Sequence, residues 1–419
     1  MNLLWSTIDI VSFPKPFPTE LRAAFLDLLE PNDILGYSMA SKTFNAEANR
    51  IRWRDYKFWF RPDGSGLDDA CRPILRDPER ARFVKSFSIL MARPSSSSLS
   101  SSSSSSSSSG GRCCVKGSWT SSWSMFSAAL STITSVTKFS LGESSSPRAA
   151  PLRMLEHHIL IQFLTCIQVW MAATPGIHTF SSRLDFCRTI PLLAACPSLR
   201  QVALHCGWEL PTAAGRVPAY ALPNLEEFEG DTSTVVTIAP GPPRLWKLSI
   251  HLSCPPRIFG DVLRQFRSLT TLRILQPPCP TNNMGIRLRH VGPIPSVQHL
   301  EYAYCEPESG TLTKGERLNG TNITDVLAPV AITFPSLRSC RLDCPAHPDD
   351  KSFPELMCDG PIVLAKLREK GDFQCLDLFT WNMGPGRDGS SSNGEDRLVR
   401  FFRPNEDDYW MAWASWYDE

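Results

Sequence analysis

The 419-residue chain carries 43 Lys plus Arg against 42 Asp plus Glu, a formal net charge of +1, and is 42% hydrophobic and 20% charged. So even a balance supplies no overall field for a nucleic-acid backbone or an anionic membrane surface, and no local basic patch or uninterrupted apolar run of about 18 residues offsets it. Length and apolar content predict a folded chain of two or three structural units, and the 14 cysteines, scattered without paired spacing, predict reduced thiols in a cytoplasmic and/or nuclear protein.

The opening stretch MNLLWSTIDIVSFPKPFP lacks the basic start and continuous apolar core of a secretory signal. In ELRAAFLDLL, residues 20–29, the apolar positions Leu21, Ala24, Phe25, Leu28 and Leu29 recur at helical spacing and predict one buried face. Pro31 stops that helix. Asn32 or Asp33 caps a second carrying Ile34, Leu35, Tyr37, Met39 and Ala40, and a third runs through Phe44, Ala48, Ile51 and Trp53. A three-helix unit of about 45 residues buries its apolar surface poorly alone, so it is expected to lean on a partner. GYSMASKT, residues 36–43, approaches a phosphate-binding loop, but Ser41 stands where the second Gly is needed and no strand precedes Gly36. No nucleotide site is expected there.

Residues 94–111, PSSSSLSSSSSSSSSSGG, have almost nothing to bury and predict a disordered, length-tolerant insertion. Beyond it one phrase recurs. PSLRQVAL from Pro197 is echoed by PNLEEF from Pro223, PRLWKLSI from Pro243, SLTTLRI from Ser268, PSVQHLEY from Pro295 and PSLRSCRL from Pro335. Each copy places apolar residues as L-x-x-L-x-L or a close variant, the last two alternating along a short strand: the leucine-rich-repeat pattern. The leading positions are Leu199, Leu225, Leu245, Leu269, Val297 and Leu337, so successive gaps are 26, 20, 24, 28 and 40 residues, the last holding an insertion at 311–324. Weaker copies lie at Val84-Phe87-Ile89, Val136-Phe139-Leu141, Ile177-Phe180 and Phe373-Leu376-Leu378. About ten strands are predicted, with apolar segments such as TIPLLAA from Thr189, IFGDVLRQF from Ile258 and PIVLAKLR ending at Arg368 supplying helices on the convex side.

The fold class that follows is α/β: a short helical unit at 12–60, then an irregular leucine-rich-repeat solenoid of parallel strands at 80–380. GPGRDGSSSNGE, residues 384–395, predicts a loop, and 395–419 form an acidic, aromatic tail. Tyr409, Trp410, Trp413, Trp416 and Tyr417 fall on one face of a predicted helix, either a cap on the end of the solenoid or an aromatic anchor for a protein.

The string from Phe17 to Phe44, followed by Ile51-Arg52-Trp53, resembles an F-box. Pro18, Glu20, Leu21, Leu26, Leu29, Pro31, Asp33, Ile34, Leu35, Ser41 and Lys42 match that motif, with Phe17 in place of its Leu, Ala40 of its Val and Phe44 of its Trp. Together with the repeats, the chain resembles the F-box-like leucine-rich-repeat proteins of mushroom-forming fungi. The resemblance implies docking onto the Skp-type adaptor of a cullin-RING ubiquitin ligase through Phe17, Pro18, Leu21, Phe25, Leu26, Leu29, Pro31, Ile34, Leu35, Lys42, Phe44 and Trp53. It further implies that the repeats choose a protein substrate. Positions between the buried ones are expected to face it, among them Arg200, Glu226, Trp246, Lys247, Arg273, His299, Glu301, Arg338 and Arg341. The alternative is a repeat scaffold with no ligase link, its N-terminal helices closing the solenoid.

Catalytic signals are weak. Cys340, Cys344 and His347 are of ligand type but lack a second pair at zinc spacing, and the adjacent His157 and His158 of a predicted helix point about 100° apart. No catalytic, cofactor or metal site is expected, and the chain reads as a non-enzyme.

Overall fold

The computed structural model describes residues 28–29, 33–34, 42–61, 66–92, 118–142, 149–150, 152, 155–205, 221–238, 242–251, 256–276, 291–304, 320–343, 364–365, 368–369, 373–385, 396–402 and 411–415. They fall into two compact units, Met1–Trp170 and Met171–Glu419. The first predicted helix, most of the second and the serine tract lie outside the described residues.

In the first unit the third predicted helix is present as α1 (Lys42–Arg54). The helical region expected over 12–60 ends there, because the next six residues, DYKFWF, form strand β1 (Asp55–Phe60). Their alternation explains why: Phe58 and Phe60 point inward at 1% exposure while Lys57 faces solvent. Helices α2 (Leu67–Arg76) and α3 (Pro78–Ala81) follow, α2 burying Leu67, Cys71 and Ile74 on one stripe. The Asp77 carboxylate caps α3 by accepting from Arg80 N, with Pro78 at the first position, where its missing N–H costs nothing. Strand β2 (Ser86–Ala92), helix α4 (Ser118–Thr132), strands β3 (Lys138–Leu141) and β4 (Ala149–Ala150) and helix α5 (His157–Ala173) complete the series.

Strands β1, β2 and β3 run parallel, with Phe58 beside Ile89 and Phe87 beside Phe139, while β4 pairs antiparallel with the end of β2. Phe58, Phe60, Phe87 and Phe139 all point inward from these strands, and the core is aromatic. Phe126 stacks on Phe163 at 5.5 Å, and Phe139 meets Trp170 edge-on at 5.1 Å. The Trp170 indole N–H donates to the Ile133 carbonyl at 3.0 Å, so this large ring is buried without an unmet donor.

In the second unit the strands follow chain order. β5 (Thr179–Ser182), β6 (Gln201–Leu204), β7 (Glu227–Asp231), β8 (Lys247–His251), β9 (Thr271–Gln276), β10 (His299–Tyr304), β11 (Ser339–Asp343) and β12 (Leu378–Pro385) pair parallel with one another in that order. Helices α6 (Phe186–Ala194), α7 (Thr232–Ile238), α8 (Pro256–Leu263) and α9 (Gly320–Thr333) lie between them. The segments from Thr189 and Ile258 are helical as predicted, and so are positions 364, 365, 368 and 369. The insertion expected at 311–324 is shorter than read, since from Gly320 onward it is the start of α9. This is the α/β leucine-rich-repeat architecture.

The recurring phrase has a second meaning that the leucine spacing did not reveal. Each leading apolar position closes a tight four-residue turn that starts three residues before it: the N–H of Leu199 donates to the Cys196 carbonyl, and Leu225 to Leu222, Leu245 to Pro242, Leu269 to Phe266, Val297 to Ile294, Leu337 to Phe334 and Leu376 to Phe373 repeat that bond. Pro197, Pro223, Pro243, Pro295 and Pro335 take the second turn position, where their fixed φ is already correct. The residue after each leading apolar position then offers one carbonyl to two N–H groups of the next copy. His178 accepts from Arg200 and Gln201, Arg200 from Glu226 and Glu227, Glu226 from Trp246 and Lys247, Trp246 from Thr270 and Thr271, Thr270 from Gln298 and His299, Gln298 from Arg338 and Ser339, and Arg338 from Asp377 and Leu378. In the first unit, Lys85 accepts in the same way from Thr137 and Lys138. All ten leading positions, from Val84 to Leu376, are fully buried.

The aromatic tail is not a helix at its centre: Met411–Ser415 is strand β14, antiparallel to β13 (Asp396–Phe402), which itself pairs antiparallel with β12. In the last copy the inward strand residue is Phe379 at 1% exposure, not Leu378, which is 37% exposed. Among the described residues no helix is long and apolar enough to cross a membrane.

Candidate functional site

Parallel strands in register place every second side chain of neighbouring copies side by side. Two outward rows result. One runs Thr179, Gln201, Glu227, Lys247, Thr271, His299, Ser339; the other runs Ser181, Ala203, Glu229, Ser249, Arg273, Glu301, Arg341. A third row, just before the strands, holds Arg200, Glu226, Trp246 and Arg338 at the corners.

The nine residues expected to face a partner all stand on these rows. Arg200, Trp246, His299, Arg338 and Arg341 are exposed, and Glu226, Lys247, Arg273 and Glu301 are half-buried. Ser249, on the same row, is an exception among its neighbours, being 5% exposed. Charges pair sideways from copy to copy. Thr179 Oγ1 donates to Gln201 Oε1 at 3.1 Å, Gln201 Nε2 to Glu227 Oε1 at 3.0 Å, and Lys247 Nζ to Glu227 Oε2 at 2.9 Å. Arg273 Nε lies 3.2 Å from Glu301 Oε1, Arg200 lies 3.8 Å from Glu226, and the Lys247 ammonium sits 6.0 Å from the Trp246 ring. Such partly exposed pairs add little stability each, but they fix the side chains that form the surface.

Charge is unevenly distributed along the ladder. Strand β7 and its corner contribute Glu226, Glu227 and Glu229, whereas β9 contributes Arg273 and β11 with its corner contributes Arg338 and Arg341, with Glu301 on β10 between them. The hydrogen bond from His251 holds the Glu229 carboxyl below the ordinary carboxylate range, against the opposing pull of burial, and the nearby His205, His251 and Arg273 charges act in the same direction. His205, Glu229 and His251 thus form a cluster that sequence reasoning missed. A usable signal existed: His205 and His251 both stand six residues after a leading leucine, Leu199 and Leu245, with Glu229 four after Leu225 between them.

Of the adaptor-binding positions, Ile34 is 6% exposed, Leu29 is half-buried, and Trp53 is half-buried with its ring stacked on Tyr56 at 5.1 Å. Lys42 and Phe44 stand on α1. Phe17, Pro18, Leu21, Phe25, Leu26, Pro31 and Leu35 lie outside the described residues. Of the weak metal candidates, Cys340 is buried on β11, where burial pushes its thiol up to about 12, so it behaves as a small apolar side chain. Cys344 and His347 lie outside the described residues.

No protein-family model matches the chain, and no curated protein does. Among solved structures, the chain is similar to a crystal structure of a TLR13–ssRNA13 complex at 14% identity and a TM-score of 0.28, over 51% of this chain and 30% of that one. At that score the likeness carries no argument. The repeat architecture rests on the ladder of the chain itself.

Proposed function

We propose that the chain is a non-enzymatic, protein-binding repeat scaffold whose exposed ladder takes the partner. The observation that carries this reading is the pair of outward rows on β6 to β11, charged and laterally braced, with an acidic stretch at β7 and arginines at β9 and β11. A surface of that kind favours a protein of complementary charge, because patterned charge steers encounter and sets register more than it adds affinity.

Within that reading, the chain serves as the substrate-recognition adaptor of a Skp-cullin-F-box type ligase, with the segment from Phe17 to Trp53 docking on the Skp-type adaptor. The motif match at Pro18, Leu29, Pro31, Ile34 and Leu35 supports the link. One observation favours the alternative, a scaffold with no ligase link. Ile34 is buried and Trp53 stacks within its own chain, so these two anchors are not wholly presented for docking.

Co-purification of the full chain with a Skp-type adaptor separates the two, alongside a variant carrying Pro31→Ala, Ile34→Asp and Leu35→Asp. Retention by the wild type and loss by the folded variant supports the ligase role, and no retention by a folded wild type leaves the scaffold alone. A second variant, Arg338→Glu with Arg341→Glu, tests the ladder independently: partners captured by the wild type are lost from it but kept by Ile332→Ser, which alters an exposed helical position.

A further inference from the structure

Three side chains from three successive copies converge on one point of the ladder. His205 follows β6, Glu229 lies in β7 and His251 ends β8, with Asp231 the register partner of His251. Strands two apart in a sheet are separated by roughly 9.5 Å. Yet the His205 and His251 ring centroids are 5.8 Å apart and their planes stand at 82°, so the two imidazoles lean toward each other over β7.

Asp231, the nearer acid by register, is otherwise engaged. Its Oδ1 accepts from Ser233 Oγ and Thr234 N at 2.7 Å each and also from Thr234 Oγ1, which ties it to the start of α7. Glu229, one pleat earlier and one methylene longer, reaches the gap instead. Its Oε1 is 3.3 Å from His251 Nε2 and 3.9 Å from His205 Nδ1, and the three ligand atoms all lie within 4.8 Å of one another.

Ligands held at about 2.0–2.1 Å around a tetrahedral zinc ion stand roughly 3.4 Å apart. The three atoms therefore need only small side-chain movements to share one ion. We propose that His205, Glu229 and His251 form a three-ligand site for a divalent transition metal of the zinc type, with a fourth position open to water or to a side chain of a bound protein. Two imidazoles and one carboxylate suit such an ion, whereas Mg²⁺ and Ca²⁺ prefer an all-oxygen shell. The three side chains are 27%, 32% and 38% exposed, enough for an ion to enter. Arg273, the cation that acts on Glu229 from β9 two strands away, is paired with Glu301 at 3.2 Å on its other side.

The test uses the full chain, stripped with a chelator and with its exposed thiols alkylated, titrated calorimetrically with Zn²⁺ and separately with Mg²⁺. One Zn²⁺ ion binds per chain and Mg²⁺ does not compete. Loss of outer partners of metal ligands alone weakens binding about 10–100-fold, so His205→Ala and His251→Ala each weaken it at least tenfold. Unchanged Zn²⁺ affinity in both folded variants, or no preference for Zn²⁺ over Mg²⁺ in the wild type, overturns the proposal. Should the variants misfold, the Co²⁺ absorption spectrum of the wild type decides. Ligand-field bands without thiolate charge transfer support the site, and thiolate charge transfer assigns the ion to cysteines and overturns it.

Discussion

Cys340 shows how much a single position on the ladder is determined by its neighbours. It points inward between Leu300 of β10 and Phe379 of β12, and burial raises its thiol from 9.0 to about 12. The unfolded chain therefore loses this proton first as pH rises. The stabilisation from keeping the thiol neutral is complete below pH 9.0 and is lost progressively toward about 12. Unfolding midpoints in urea should accordingly fall as pH rises through that window. Alkylation of the native chain is expected to modify the exposed Cys187 and Cys375 while sparing Cys340, read by peptide mass. At this scale the sequence was legible wherever a leading leucine set the phase. It misled at Leu378, because Phe373 was taken as the leading residue when it is the first residue of the turn, and counting from Leu376 places Phe379 inside.

Among the elements, the turn and the helix approach carry the sharpest consequences. A Cβ added at Gly260 on α8 would lie 2.6 Å from the Val291 carbonyl oxygen and 2.9 Å from the Val291 Cα, both backbone atoms that cannot swing away. Gly260→Ala is expected to destabilise the chain by about 1–3 kcal/mol despite the better helix propensity of Ala. Leu245→Ala, at a fully buried leading position, is expected to cost about 2–5 kcal/mol. Both are read from thermal or denaturant unfolding, and an unshifted midpoint in either would contradict the packing described. Elements at the two ends were the least legible. The period of the tail aromatics favoured a helix, but β12 and then β13 offer edges whose backbone groups need partners, and the chain between Met411 and Ser415 supplies them. At the start, β1 escaped notice because Phe58 and Phe60 precede any recognisable phrase and only the strand β2 beside them gives their alternation meaning.

Across the whole molecule, one copy cannot bury its own apolar face, and the phrase recurs because each corner carbonyl must serve the next copy. Ten of the copies and the order of their strands could be read from leucine spacing; the outward cluster at His205, Glu229 and His251 could not, because it is assembled across three copies by register. The charged ladder has a kinetic consequence. Arg338→Glu with Arg341→Glu is expected to slow partner association, more strongly at low salt, with a smaller change in dissociation, as surface plasmon resonance would show. Equal effects on both rates would place the contact elsewhere.

The corner ladder is open to residue-resolved amide hydrogen exchange on the full chain. Slow exchange is expected at consecutive pairs, Arg200 and Gln201, Glu226 and Glu227, Trp246 and Lys247, Thr270 and Thr271, Gln298 and His299, Arg338 and Ser339, each pair recurring with the phrase. Fast exchange at those pairs in a folded chain would contradict it.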